Sequence, residues 1–236
     1  MGLGSAAFQI ALISIVGSFI RLDRYAIGQL MISRPLVAGT VIGFCLGSAR
    51  EGMFIGALLE LLWIHALPVG DALPGDDTLT AIAITAISCL AIKQSGGEVQ
   101  EVMIITLLLF LPTARLGRRL EFAIRRWNDR RIQFARQAAE QGNLSYLGRI
   151  PVRAVIRDFL LVAFILLVII SLGAVTVPWL HSMMSDSIRA GMRALYFVLP
   201  VLGAASLLTT ARSPGALPLF CAAFLTVMVV LETLAS

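Results

Sequence analysis

Residues 34–78 read RPLVAGTVIGFCLGSAREGMFIGALLELLWIHALPVGDALPGDDT. The stretch holds two apolar segments, 36–48 and 53–67. At 1.5 Å per helical residue each reaches only about 20 Å, against roughly 30 Å of bilayer hydrocarbon. Short apolar segments interrupted by Gly and Pro point to a transporter's binding site. Irregular backbone survives at membrane depth only where protein or a water-filled cavity satisfies its N–H and C=O groups. The pattern predicts an all-α integral membrane protein: a polytopic helical bundle with short, broken or re-entrant segments.

The glycines in this stretch are spaced at helical intervals. Gly39, Gly43 and Gly47 fall at i, i+4 and i+8, and Gly52 and Gly56 make a second such face. Small residues at this spacing let helix backbones approach closely in lipid, so both faces need partner helices. The next step of four after Gly56 is Glu60. A carboxylate facing lipid would cost several kcal/mol, roughly, or stay protonated, so Glu60 is expected to point into the protein interior. Its functional reading is a polar ligand for a solute; its structural reading is a hydrogen-bond partner for a neighbouring helix.

Residues 68–78, PVGDALPGDDT, cannot continue a helix through their two prolines and two glycines. Asp71, Asp76 and Asp77 sit there between two apolar segments, with Trp63 and His65 just upstream. Carboxylates that accept paired hydroxyl hydrogen bonds beside an aromatic face are the chemistry of a sugar site. Each candidate also has a plain structural role. Asp76, Asp77 or Thr78 can cap the helix that starts at Leu79. Trp63 can sit in an interfacial belt, and His65 can be a satisfied core histidine.

Composition sets the class. Of 236 residues 58% are hydrophobic and 14% charged, with a mean hydropathy of +0.89. Soluble domains carry about 25% charged residues. The basic balance does not argue for nucleic acid, because the arginines cluster in one stretch. Cys45, Cys89 and Cys221 lie in apolar segments at no metal-ligand spacing and read as small buried hydrophobes. No cofactor or metal is expected, and no nucleotide motif or nucleophile triad is visible. Residues 3–20 lack a positive leading region and a convincing cleavage site, and read as a retained first span.

Further along, 79–92 and 102–111 are apolar, and Gly96-Gly97 marks a turn between them. Residues 115–157 then hold eleven of the nineteen basic residues. The positive-inside rule places this stretch in the cytoplasm. Leu116, Leu120, Ala123, Trp127, Phe134 and Ala138 recur at steps of three and four, with most arginines off that stripe. The expectation is a basic amphipathic helix ended by Gly142-Asn143, lying on anionic lipid or docking a cytosolic protein. Residues 159–177, 194–211 and 217–234 read as three more spans, with a kink at Pro200. Arg212-x-Pro214 before an apolar run is a faint echo of Arg34-Pro35. The organisation is one membrane-embedded domain over 1–236: an N-terminal half to 114 with the sugar-site segments, the linker 115–157, and C-terminal spans from 158.

An ordered set of strings carries a family resemblance: LDR at 22–24, MISRPLVAG at 31–39, GFCLGSAREGMFIGALLELLW at 43–63, PVGDALPGDD at 68–77 and AAEQGNL at 138–144. The chain resembles the IIC membrane subunit of the mannose/fructose/sorbose family of the bacterial phosphoenolpyruvate-dependent sugar phosphotransferase system. The resemblance implies a multi-pass protein of the bacterial inner membrane that translocates a hexose or related sugar. It implies a hetero-oligomer with a membrane IID subunit. It also implies a cytosolic IIA/IIB component that carries the phosphoryl group, so the chain is not an enzyme by itself. Glu60 matches the family's EL carboxylate and Asp76 the aspartate of its PPD-like string. Ser48 stands where the family usually has aspartate, Gly75 replaces the second proline of the PPD-like string, and Met31 and Ser33 replace its Gln-x-His.

Read from the residues, Glu60 and Asp76 are the leading hydroxyl ligands. Asp71, Asp77, Trp63 and His65 follow. The rival readings are an ion-coupled secondary transporter with Glu60 as proton carrier, and a non-transporting membrane scaffold or sensor whose basic helix recruits a partner.

Overall fold

The computed structural model of the chain describes residues 3–63, 75–140 and 144–210, with 218 and 222. His65 and Asp71 lie outside these residues, as do Gly142-Asn143, Cys221, Arg212-x-Pro214 and most of the last expected span. The described residues form eight helices: α1 (Leu3–Leu22), α2 (Pro35–Cys45), α3 (Ala49–Trp63), α4 (Asp77–Ser95), α5 (Val99–Phe110), α6 (Thr113–Glu140), α7 (Leu144–Met183) and α8 (Asp186–Thr210).

The bundle is built around α4. Every residue from Thr78 to Ala91 is buried, and α4 packs against α1, α2, α3, α5, α6 and α7. A helix apolar on all sides has no face to give to solvent and belongs in a core. Its start is capped by Asp76, whose Oδ1 accepts the Leu79 N–H at 2.9 Å. Its end is closed by Gly96 in the left-handed region, φ 59°, where a Cβ would be strained. Among the described residues, four helices are long and apolar enough to cross a membrane, or five with α5 and α6 as one span bent by 41°. The bend falls next to Pro112, which has no N–H to continue the ladder. Residues 102–116 are therefore not one straight run.

The short segments form a hairpin. α2 and α3 run antiparallel, and their glycines face each other rather than other helices. A Cβ on Gly39 would meet the Gly52 carbonyl at 2.7 Å, and one on Gly43 would meet the Gly52 Cα at 2.8 Å. One on Gly56 would meet the Pro35 carbonyl at 2.5 Å. The two expected small-residue faces thus satisfy each other within the chain. Gly47 is not part of that face. It sits at φ +69° in the turn, where the Ser48 N–H reaches back to the Gly43 carbonyl at 2.8 Å. Both arms open toward the start of α4, where the Thr78 hydroxyl donates to the Ser33 carbonyl at 2.6 Å. The closed tip points to the end of α4, where Lys93 donates to the Leu46 carbonyl at the end of α2. The hairpin therefore enters and leaves at one end of the bundle.

Other expectations shift. Cys45 is exposed at the end of α2 rather than buried, while Cys89 is buried in α4. Residues 144–157 belong to the same helix as the following span, because α7 runs unbroken through Pro151 and Pro178. α8 likewise runs through Pro200. The basic amphipathic helix is present as α6, and its stripe is partly exposed: Leu116, Trp127 and Phe134 are all open.

Candidate functional site

The open end of the hairpin is where the sequence candidates gather. Pro35 starts α2 and leaves the next N–H, that of Leu36, without a helical acceptor. Glu60, near the end of α3, faces that terminus. Its Oε1 lies 2.7 Å from Arg34 Nη2, and its Oε2 accepts a long hydrogen bond of 3.4 Å from Leu36 N–H. The Glu60 side chain is 19% exposed and that of Arg34 56%. An ion pair with an open partner is held weakly, so this carboxylate can exchange Arg34 for another donor at little cost.

Asp76 is committed more deeply. Besides capping α4, its Oδ2 accepts from Arg21 Nε at 2.8 Å, and both residues are buried. Its own N–H donates to the Ala114 carbonyl at 3.1 Å. Gly117 makes this possible, since a Cβ there would overlap the Asp76 side chain. Arg21 is 1% exposed at the end of α1, and its guanidinium also reaches Glu121 of α6 at 3.0 Å and Asp158 of α7 at 3.6 Å. It further donates to Tyr25 at 2.7 Å, and the Tyr25 hydroxyl donates to Asp158. Burial pushes the Tyr25 phenol well above its usual range, so it acts as a neutral donor. One guanidinium thus joins α1, α4, α6 and α7. Buried charges persist only when paired in this way.

Asp77 pairs with Arg24, which also lies 4.0 Å from Asp76. Beside these residues, Asp23 holds the connection to α2. Its carboxylate accepts from Leu30 N–H at 2.8 Å and Ser33 N–H at 3.2 Å. Those two backbone donors, Leu30 first, hold the Asp23 carboxyl below the usual aspartate range. The left-handed Gly28, Gln29 and Met31 shape the loop around it.

Ser33 and Thr78 tie the Arg34–Glu60 pair to the Asp76–Asp77 pair, because each bonded residue is the chain neighbour of one member. Trp63, one turn beyond Glu60, lines a cavity of about 510 Å³ together with Gly75, Leu111, Arg115 and Arg118. This size suits a small solute. Glu60, Trp63, Asp76 and Asp77 therefore converge on one end of the bundle, the end from which the arginine-rich α6 departs. Arg21, Glu121, Tyr25 and Asp158 were not among the residues expected from sequence. Arg21 and Asp158 each border an apolar run, and a charge in that position needs an opposite partner.

The opposite end carries a separate cluster. Glu101 of α5 is buried and contacts His181 of α7 at 2.8 Å and Arg193 of α8. Gly97 leaves room for the His181 ring, whose Cε1 would lie 2.5 Å from a Cβ there.

The chain has clear relatives among known proteins. The profile of the family described as "PTS system sorbose-specific iic component" matches residues 7–235. The chain is 26% identical over 219 residues to the mannose-specific EIIC component of Escherichia coli K12, covering 92% of this chain and 79% of that one. It is 29% identical over 193 residues to the sorbose-specific EIIC component of Klebsiella pneumoniae, covering 81% of this chain and 70% of that one. Among solved structures, it resembles a chain in the cryo-EM structure of the mannose transporter ManYZ with microcin E492. The TM-score is 0.56 at 22% identity, over 98% of this chain and 92% of that one. A structure titled only as that of a membrane protein superposes with a TM-score of 0.68 at 22% identity, over 97% of this chain and 92% of that one.

Proposed function

This chain belongs to the family of sorbose-specific IIC components of the phosphotransferase system, and on that premise we propose where it holds its sugar and how it works with partners. It is a multi-pass inner-membrane permease subunit. In the proposed cycle a hexose or related sugar lies at the open end of the α2–α3 hairpin. Glu60 accepts its hydroxyls and Trp63 offers an apolar face. Arg34 is the donor already paired with Glu60, and the sugar takes a share of that carboxylate. Asp76 and Asp77 hold the framework through Arg21 and Arg24, and His65 and Asp71 remain candidates for the same site. A cytosolic IIA/IIB component phosphorylates the sugar, and the added charge prevents its return. A membrane IID subunit completes the permease. Residues 115–157 face the cytoplasm, so the sugar end of the hairpin opens toward the phosphoryl donor.

The observation that carries this reading is the half-buried Glu60 carboxylate at the mouth of the α2–α3 hairpin, paired with an exposed arginine. A fixed structural carboxylate would be sealed in, as Asp76 is. The test is uptake by vesicles containing the chain, a IID subunit and the cytosolic components. Accumulation should require phosphoenolpyruvate and survive collapse of the proton gradient. Uptake that follows the proton gradient instead would favour ion coupling. A complex that moves no sugar under either condition would favour a scaffold.

A further inference from the structure

A cavity of about 420 Å³ lies between α6 and α7, beneath the Tyr25–Ala26 turn. Its walls are apolar: Ile124, Ile132 and Ala135 from α6, and Ile150, Ala154 and Val155 from α7. At its inner end Asp158 is engaged by Tyr25 and Arg21, and the Asn128 side-chain Oδ1 accepts from Arg157 at 2.8 Å. A second cavity of about 310 Å³ adjoins it, sharing Arg131 and Ile150 and adding Phe134 and Arg153. The mouth of the crevice thus carries two guanidiniums. Neither has a carboxylate partner among the described residues. Arg157 adds a third positive charge close enough to Arg131 to feel its repulsion. The crevice lies where α7 passes from residues 149–157, with three arginines, into the apolar run that starts at Phe159.

We propose that this crevice binds one anionic phospholipid, with an acyl chain in the apolar cavity and the phosphate held by Arg131 and Arg153. The two chemistries meet only in such a ligand. A free phosphate compound has no use for an apolar floor, and an uncharged acyl chain leaves the guanidiniums repelling one another. Arginine forks pair with phosphate oxygens in two parallel hydrogen bonds, and basic pockets between membrane helices suit anionic headgroups. The lipid would fill the wedge between α6 and α7 and fix the angle at which α6 leaves the bundle. The site does not depend on where the sugar binds.

The test is native mass spectrometry of the full chain released from nanodiscs of phosphatidylcholine containing one-fifth phosphatidylglycerol. The expected result is one phosphatidylglycerol retained per chain in preference to phosphatidylcholine. Arg131→Gln with Arg153→Gln should cut retention about tenfold or more. Ala154→Phe, which fills the floor and keeps both charges, should cut it as well. Arg136→Gln, an exposed arginine outside both cavities, should leave it unchanged. Equal retention of the two lipids, or retention in the double variant, would overturn the proposal. Full retention by Ala154→Phe would reduce the site to surface charge and overturn it too. So would displacement of the lipid by millimolar inorganic phosphate. Should the double variant not fold, the Ala154→Phe result decides between the same two outcomes: lost retention supports the site and full retention overturns it.

Discussion

Arg21→Met isolates the contribution of the buried guanidinium that joins four helices. Methionine keeps an unbranched stem of similar reach and removes the charge. It leaves Asp76 and Asp158 buried and Glu121 partly buried, all without Arg21. Asp76 keeps the Leu79 N–H and Arg24 at 4.0 Å, and Asp158 keeps the Tyr25 hydroxyl. The loss is therefore that of a buried pair broken on one side, about 3–5 kcal/mol. For a chain of this size 1 kcal/mol moves the melting temperature by roughly 2–4 °C, so a fall on the order of 10 °C is expected. The assay is thermal unfolding of the purified chain in detergent, with Asp76→Asn and the double variant completing a cycle. Asp76→Asn keeps an acceptor for Leu79, so it should cost less than Arg21→Met. The double variant should be less damaged than the sum of the singles, because Asp76, one of the three carboxylates that Arg21→Met strands, no longer carries a charge. A loss below about 1 kcal/mol for Arg21→Met, or strict additivity, would refute the coupling assigned to this network.

Gly52→Ala places a methyl group against the backbone of Gly39 and Gly43, and should cost about 1–3 kcal/mol through overpacking. Gly148→Ala, where no atom lies within 4 Å, should be neutral or stabilising in the same melting assay. Gln133 is exposed on α6, and Gln133→Cys in a background lacking native cysteines should react with an impermeant thiol reagent in inverted vesicles and not in intact cells. The Asp23 carboxyl sits below its usual range, so the order it gives the 23–33 loop is fully present above that range. That order is lost as the pH falls through the lowered folded value. Amide exchange at Leu30, measured against a core amide such as Leu90, should rise in that acidic window, and Asp23→Asn should abolish the pH dependence.

The architecture was legible where periodicity and length carried it. The two segments 36–48 and 53–67 are too short to span a bilayer and read as broken or re-entrant, and they form the α2–α3 hairpin; the 79–92 run read as apolar, and it forms the buried helix α4 with Thr80, Thr85 and Ser88 inside it. Partner choice was not legible. Gly39, Gly43, Gly52 and Gly56 say that backbones approach closely, but spacing alone does not say that the two faces meet each other. Gly47 continued the period yet serves the turn, since a positive φ leaves no trace in a helical pattern. Asp76 was visible both as a cap and as a ligand, and the structure places it in the cap. What spacing could not reveal was Arg21, whose three carboxylates come from residues 55, 100 and 137 positions away. Arg34 and Glu60 lie 26 positions apart, and their pairing follows only once the hairpin closes.

Sugar binding and subunit assembly measured on one Glu60→Gln preparation test the central claim most directly. Glutamine keeps the shape of the side chain and can still accept from Leu36 N–H. The Arg34 pair that it gives up is half exposed and contributes little to stability. Charge-assisted hydroxyl bonds are worth about 1.5–3 kcal/mol each, so sugar affinity should fall on the order of tenfold to a hundredfold. The amount of partner subunit that co-purifies should be unchanged. Normal sugar affinity in an intact complex would contradict the account and remove Glu60 from the site.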